Sequence, residues 1–407
     1  MPRFRRSAIA AWALAAGALA LLFARAWRID YPYSIDFQTY WLAGARVIDG
    51  RAADLYAAGG GPADGTPAAM GAGEFKNLPI VAAAFAPFGL LDYATAKRTF
   101  WWLSLLSLAG TAWLLGRFVL PVEIGSTASR CALAFAPLAA MAPAHIALRH
   151  GQTTPLVALA LAGSLAATVR RRPAPAGVAL AVACLVKFPP LAIVPLDLAR
   201  RRLRAAAVCA AAIAAVVVAS IAAFGPPLHR AYLAGIAEQA GRVMPAHNNQ
   251  SLAATATRLS HRVEPSAWTP RPLPRDAAIA TAIGAAALLA AVAAGVAGKG
   301  RRVEAEHAAV LAAGILLLPV AWDHYFLMLA PAAIALAGVL WARGALARPG
   351  FLAAAATGAA LLGLPTPARL LEGGPSPLPV AIVLSHYFAG ALVLLGLAVA
   401  SLRTADA

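Results

Sequence analysis

Charge is what this chain is shortest of. Only 13% of its 407 residues are Asp, Glu, Lys or Arg, about half the share of a typical soluble protein. Acidic residues are the scarcer kind, 17 against 34 basic ones, which leaves a net charge of +17. Cysteine is confined to Cys131, Cys184 and Cys209, all in apolar runs. Their spacing fits neither a disulfide framework nor a metal or redox motif, so they read as small lipid- or core-facing residues. No His-x-x-x-His pair occurs and the first polar loop has no Asp-x-Asp, so neither a metal nor a cofactor is expected. Ten-residue segments of alternating polarity are missing too, which excludes a membrane β-barrel. There is no internal repeat and no separate soluble domain.

What is there is apolar: 61% of the residues are hydrophobic, with a mean hydropathy of +0.72. The composition predicts an all-α polytopic membrane protein, because a helix satisfies its own backbone within lipid. Apolar segments near the required length of roughly 20 residues fall at about 7–25, 97–117, 131–147, 153–169, 205–224, 276–298, 303–321, 324–342, 350–364 and 378–401. "MPRFRR" precedes the first without a convincing cleavage site after it, so it is expected to remain as an uncleaved span. Between 174 and 199 the pattern changes. "AGVALAVACLV" ends at Lys187, "FPP" breaks the helix, and "LAIVPLDLA" follows, which predicts two short or tilted helices meeting at Lys187. About twelve crossings result, with both termini on one side, in a single integral membrane domain over 1–407.

The basic residues orient it. The segments expected to be cytoplasmic contain "MPRFRR", Arg117, Arg130, "RRR" at 170–172, "RRRLR" at 200–204, "KGRR" at 299–302, Arg343, Arg348 and Arg403. Excess Lys and Arg mark the cytoplasmic side, so the net positive charge sets topology and does not point to nucleic acid. Two long loops then lie outside, 27–96 and 225–275. The first contains "NLPIVAAAFAPFGLL", too short for a span and expected to lie in the interface. The second has a candidate surface helix at 228–243.

The unusual polar residues converge on that outer side: Asp30, Asp36 and Tyr40 after the first span, Arg149, His150 and Gln152 at the turn before the fourth, Lys187 at the break, His247 to Gln250 in the second loop, and Asp323 with His324 in "LLLPVAWDHYFLMLAP". Each has a structural alternative. Asp36 suits a helix cap, Lys187 suits snorkelling to the interface, and the loop groups suit turns. Ionisable residues at membrane depth are costly and mark function, and their gathering on one face predicts one polar site opening outward.

"DFQTYWLAGARVIDGRAADLY" resembles the opening motif of glycosyltransferase family 87, polytopic enzymes of the GT-C class related to polyprenol-phosphate-mannose-dependent mannosyltransferases. The matching positions are Asp36, Tyr40, Ala45, Gly50, Leu55 and Tyr56. "NLPIVAAAFAPFGLL", "RHGQTTPLVALALAG", "AGVALAVACLVKFPPLAIVPL", "NNQSLAATATRL" and "WDHYFLMLAP" resemble further family motifs in order, across most of residues 30–335. Phe188 departs from the pattern, which commonly has a small or polar residue there.

The resemblance implies a GT-C fold and an inverting sugar transfer at the outer face of a bacterial plasma membrane. The implied donor is a polyprenyl-phosphate sugar, with mannose as the sugar, and the acceptor a lipid or glycan. It implies Asp36 as general base, with Asp30 as second candidate, and donor contacts from Lys187, Arg149, His150, Gln152, Asn249, Gln250, His324 and Tyr40. A lipid transporter or flippase, whose broken helices look alike, and a non-catalytic membrane subunit are the rival classes.

Overall fold

The computed structural model describes residues 2–27, 35–56, 75–298, 300, 302–372 and 374–403. Among them six helices have the length and apolarity to cross a bilayer: Ala8–Ala26, Tyr93–Phe118, Leu203–Ala237, Arg275–Ala297, Asp323–Ala342 and His386–Arg403. Thr127–Ala140 and Ala142–His150 make a seventh if the bent pair is one span. Four shorter apolar helices accompany them, Thr154–Val169, Pro173–Val186, Pro189–Ala199 and Pro349–Gly363, together with the buried Val303–Leu316. The protein is therefore a multi-pass helical membrane protein. The described residues depart from an all-helical plan where Arg242–Val243 pairs antiparallel with Arg271–Pro272 and closes the polar loop between them.

The helices break where the sequence removes a hydrogen bond and another group replaces it. A continuous span is expected over 131–147, but the chain bends by 68° between Ala140 and Ala142. Pro143 has no N–H to offer the Ala139 carbonyl; the His145 ring takes its place, with Nε2 2.7 Å from that oxygen. At Gly225 the backbone (φ 77°, ψ 156°) leaves the helix, in a region only glycine enters freely. Pro226 and Pro227 then start the next arm, and His229 bridges the bend, donating from Nδ1 to the Gly225 carbonyl and accepting from the Ser220 hydroxyl, each at 2.9 Å. That arm ends at Ala237, so the expected surface helix at 228–243 begins earlier and stops shorter. The break at Lys187 is as the sequence predicts: Pro173–Val186 ends, Lys187 is extended, and Pro189–Ala192 winds as a 3₁₀ turn into Ile193–Ala199.

In lipid, helices associate through close packing more than through burial from water. A Cβ added to Gly177 would stand 2.4 Å from the Ala205 carbonyl oxygen, and one on Gly116 2.5 Å from the Cys131 nitrogen. Helix Thr154–Val169 is central. Val157 and Leu161 join the core of the C-terminal half, Ala158, Ala162 and Leu165 join that of the first helices, and Leu156 packs against the aromatic cluster around Phe37. The end of this helix that carries Thr154 is thus held from three sides.

At the far end of the arm that follows Lys187, Glu306 is fully buried between two arginines. Its Oε1 lies 2.6 Å from Arg200 Nε, and its other oxygen pairs with Arg202, which also binds Asp197 at 3.0 Å. Removing one member of a buried ion pair leaves an uncompensated charge. Glu306→Ala and Glu306→Gln are each expected to destabilise the purified protein by about 3–5 kcal/mol in chemical denaturation. Asp54→Ala, which breaks the exposed Arg51–Asp54 pair, should cost no more than about 1 kcal/mol.

Candidate active site

The site begins with a turn that only glycine permits. Helix Ala142–His150 ends at Gly151, which is left-handed (φ 66°, ψ 45°). A Cβ there would meet the Phe37 Cβ at 2.4 Å. This close approach presses helix Ile35–Ile48, which carries Asp36 in its first turn, onto the turn bearing His150 and Gln152. Phe37 stacks on Phe100 at 5.0 Å and Tyr40 on Phe85 at 4.7 Å, which fixes the helix from its other side. Asp36 Oδ2 then lies 3.6 Å from His150 Nδ1, with side-chain exposures of 33% and 37%. This edge is the accessible part of the site.

Deeper in, Lys187 is buried. Its ammonium donates to Gln152 Oε1 at 3.2 Å and sits 4.6 Å above the centre of the Tyr325 ring. Burial opposes the charge, while the Asp36 carboxylate acts through space to favour it. His324 lies beside Tyr325, ring centres 5.0 Å apart. Its backbone N–H donates to Asp323 Oδ1 at 2.7 Å, and the charges of Lys187, Asp323 and Asp36 all act on its ring. The His324 Nε2 is buried without a hydrogen-bond partner among the described residues. Lys187 and His324 thus both adjoin Tyr325, and Asp36, on the accessible edge with His150, lies within electrostatic range of both.

The remaining candidates are placed otherwise. Arg149 is exposed on the last turn of Ala142–His150. Asp30 lies outside the described residues. Asn249 and Gln250, expected to meet sugar hydroxyls, are fully buried, and their amides bind backbone instead. Asn249 Nδ2 donates to the Met244 carbonyl at 2.8 Å, and Oδ1 accepts from Ala321 and Ser251 at 2.9 and 3.1 Å. Gln250 Nε2 donates to the His247 and Leu384 carbonyls, both at 2.6 Å, and Oε1 accepts from the Phe388 N–H at 3.1 Å. These amides latch the polar loop to the Trp322 and Leu384 segments, and so position Asp323 and His324. Asp323 N–H donates to the Asn248 carbonyl at 2.9 Å in the same seam.

Two residues of this region carry no clear signal in the sequence. Tyr325 adjoins a residue already singled out, but its place under Lys187 is set by tertiary structure. Arg258 reads as an ordinary helix cation, yet it is buried. It donates to the carbonyls of Ala246 (2.8 Å) and Asn249 (2.6 Å) and to the Ser385 and Thr255 hydroxyls (each 3.1 Å), bracing the loop from within.

A sequence model of glycosyltransferase family 87 matches residues 75–322, more than half of the chain. The matched stretch includes Arg149, His150, Gln152, Lys187, Asn249 and Gln250; Asp36 and His324 flank it. No curated protein and no solved structure matches the chain.

The Gly151 turn has a built-in control in Gly50, which has a similar φ of +70° but nothing within 4 Å of an added Cβ. Gly50→Ala should cost only the left-handed penalty, about 1–2 kcal/mol. Gly151→Ala should cost more by the overpacking against Phe37, about 1–3 kcal/mol. Thermal unfolding of the two variants, side by side, measures the difference.

Proposed function

The chain belongs to glycosyltransferase family 87 and is a membrane glycosyltransferase, and from that premise we propose that it moves a sugar from a polyprenyl-phosphate donor to a lipid or glycan acceptor with inversion. The sugar we assign is mannose. Asp36 takes the proton of the acceptor hydroxyl as that oxygen attacks the anomeric carbon. The bond from that carbon to the phosphate oxygen breaks, its electron pair leaves with the polyprenyl phosphate, and Lys187 stabilises the departing anion. His150 orients the Asp36 carboxylate. The unpartnered His324 Nε2 is available to a donor oxygen, and Arg149, exposed on the adjoining helix end, meets the approaching phosphate. The observation that carries this is an accessible carboxylate within electrostatic range of a buried ammonium.

A route for the donor's tail supports it. A groove of about 960 Å³ lies between the first helix and the C-terminal helices, and its lining is apolar except for Arg25. Phe326 and Leu329, from the segment that carries His324, line it together with Met141 and Trp341. Such a groove suits an isoprenoid chain. We further assign about twelve crossings of a bacterial plasma membrane, both termini in the cytoplasm, and the site at the outer face.

Two experiments test this. Asp36→Asn keeps size and hydrogen bonding but loses the basic oxygen. In sugar transfer from polyprenyl-phosphate donors, turnover should fall by about 10²–10⁴-fold while donor binding persists. Unchanged turnover would return Asp36 to a helix-capping role and make Asp30 the next candidate base, whereas absence of transfer by the parent protein itself would favour the rival readings, a transporter or a non-catalytic subunit. For orientation, in a background without the three native cysteines, a membrane-impermeant thiol reagent added outside should modify Ser266→Cys and spare Gly350→Cys. The reverse pattern would place the site in the cytoplasm.

A further inference from the structure

The N-cap of helix Thr154–Val169 is Thr153, a residue able to cap, yet it makes no side-chain cap hydrogen bond, whereas Asp92, Ser126 and Ser251 do so at their own helix starts. Thr153 is 2% exposed and Thr154 0%, yet neither hydroxyl has a hydrogen-bond partner among the described residues. Elsewhere in this chain hydroxyls within helices find the carbonyl four residues back: Ser104, Ser107, Thr111, Thr168 and Thr257 all do so, at 2.8 to 2.9 Å. A buried hydroxyl left unpaired is unfavourable, so two in succession at one helix start call for a reason.

Their position supplies it. They directly follow Gln152, whose Oε1 accepts from the buried Lys187 ammonium at 3.2 Å. At this helix start Pro155 has no N–H and the Leu156 N–H already donates to the Thr153 carbonyl at 3.0 Å, so the N–H groups of Thr153 and Thr154, at the positive end of the helix, are the ones that can meet an anion. Two idle hydroxyl donors and the helix start thus directly follow the residue that holds the ammonium, on the turn that packs against the Asp36 helix. A carbonyl-type oxygen, Gln152 Oε1, occupies Lys187 meanwhile, as a phosphate oxygen would.

We infer that Thr153 and Thr154, with the first turn of their helix and Lys187, form the cradle for the donor's phosphate. The inference rests on the proposed function and goes beyond it by assigning two residues and a mode of recognition. On binding, a phosphate oxygen replaces Gln152 Oε1 at Lys187 and the two hydroxyls donate to the others. Charge on the phosphate grows as the sugar leaves, so the cradle holds the product monophosphate and the transition state more tightly than the donor.

The test uses the full-length purified protein with undecaprenyl phosphate and, as its phosphate-free counterpart, undecaprenol. Binding is read by thermal stabilisation. Thr153→Val and Thr154→Val preserve shape and remove only the idle hydroxyls, so the ligand-free unfolding temperature should hold or rise. The double variant should bind undecaprenyl phosphate about ten- to a hundredfold more weakly, with undecaprenol binding unchanged. The double Thr→Ser variant, which keeps both hydroxyls, should bind like the parent. Equal binding of the phosphate by the Val variant and the parent would overturn the cradle. So would a Val variant that fails to fold while the Ser variant folds, since the hydroxyls would then be structural. A parent protein that does not bind undecaprenyl phosphate at all would instead overturn the polyprenyl-phosphate reading beneath it.

Discussion

An ammonium held away from water must find its compensation in the protein, and Lys187 finds it in three other segments of the chain. Burying such a charge costs several kcal/mol even after relaxation. The Gln152 oxygen, the Tyr325 ring and the more distant Asp36 carboxylate offset it. Those groups belong to the turn at Gly151, the 3₁₀ segment after Trp322 and the helix that follows the first span. Satisfying one charge therefore brings three remote stretches into register, and the same register gathers the ammonium, the carboxylate and the unpaired imidazole nitrogen on which the proposed reaction draws.

Lys187 is also held from behind. The arm from Pro189 to Ala199 leads directly into Arg200 and Arg202, which close on the buried Glu306. One end of the arm is set by the ion network and the other by the ammonium, so motion of Lys187 would disturb charged contacts at both ends. The polar loop is treated alike, by Asn249, Gln250 and Arg258 from within. Rigid supports under a partly open edge are what electrostatic stabilisation of a leaving group requires, because donors placed beforehand need no reorganisation as charge develops.

The parts of this arrangement legible in the sequence are those with a local cause. The break at Lys187 is written in two consecutive prolines, the turn at Gly151 in a glycine after a basic helix end, and the multi-pass character in the long apolar runs. Residues whose meaning depends on a distant partner are not legible in this way. Glu306 falls at the start of the apolar segment expected at 303–321, and nothing near it in the sequence announces Arg200 and Arg202 as its partners. Asn249 and Gln250 stand out as polar, but only the fold reveals that backbone carbonyls consume them. The bend before Ala142 is an intermediate case: Pro143 announces it, while the repair by His145 across the break is tertiary. Thr153 and Thr154 look like ordinary helix-start residues, and only their unpaired hydroxyls in the folded chain distinguish them.

The central claim is that Asp36 and Lys187 serve one reaction centre on a lipid-phosphate sugar. A density map of the purified protein bound to a non-transferable polyprenyl-phosphate sugar analogue tests it most directly. The expected map has the phosphate within hydrogen-bonding distance of Lys187 Nζ, and the anomeric carbon facing Asp36 with room between them for one hydroxyl group. A phosphate bound elsewhere, with Lys187 still on Gln152 and Asp36 remote from the sugar, would contradict it.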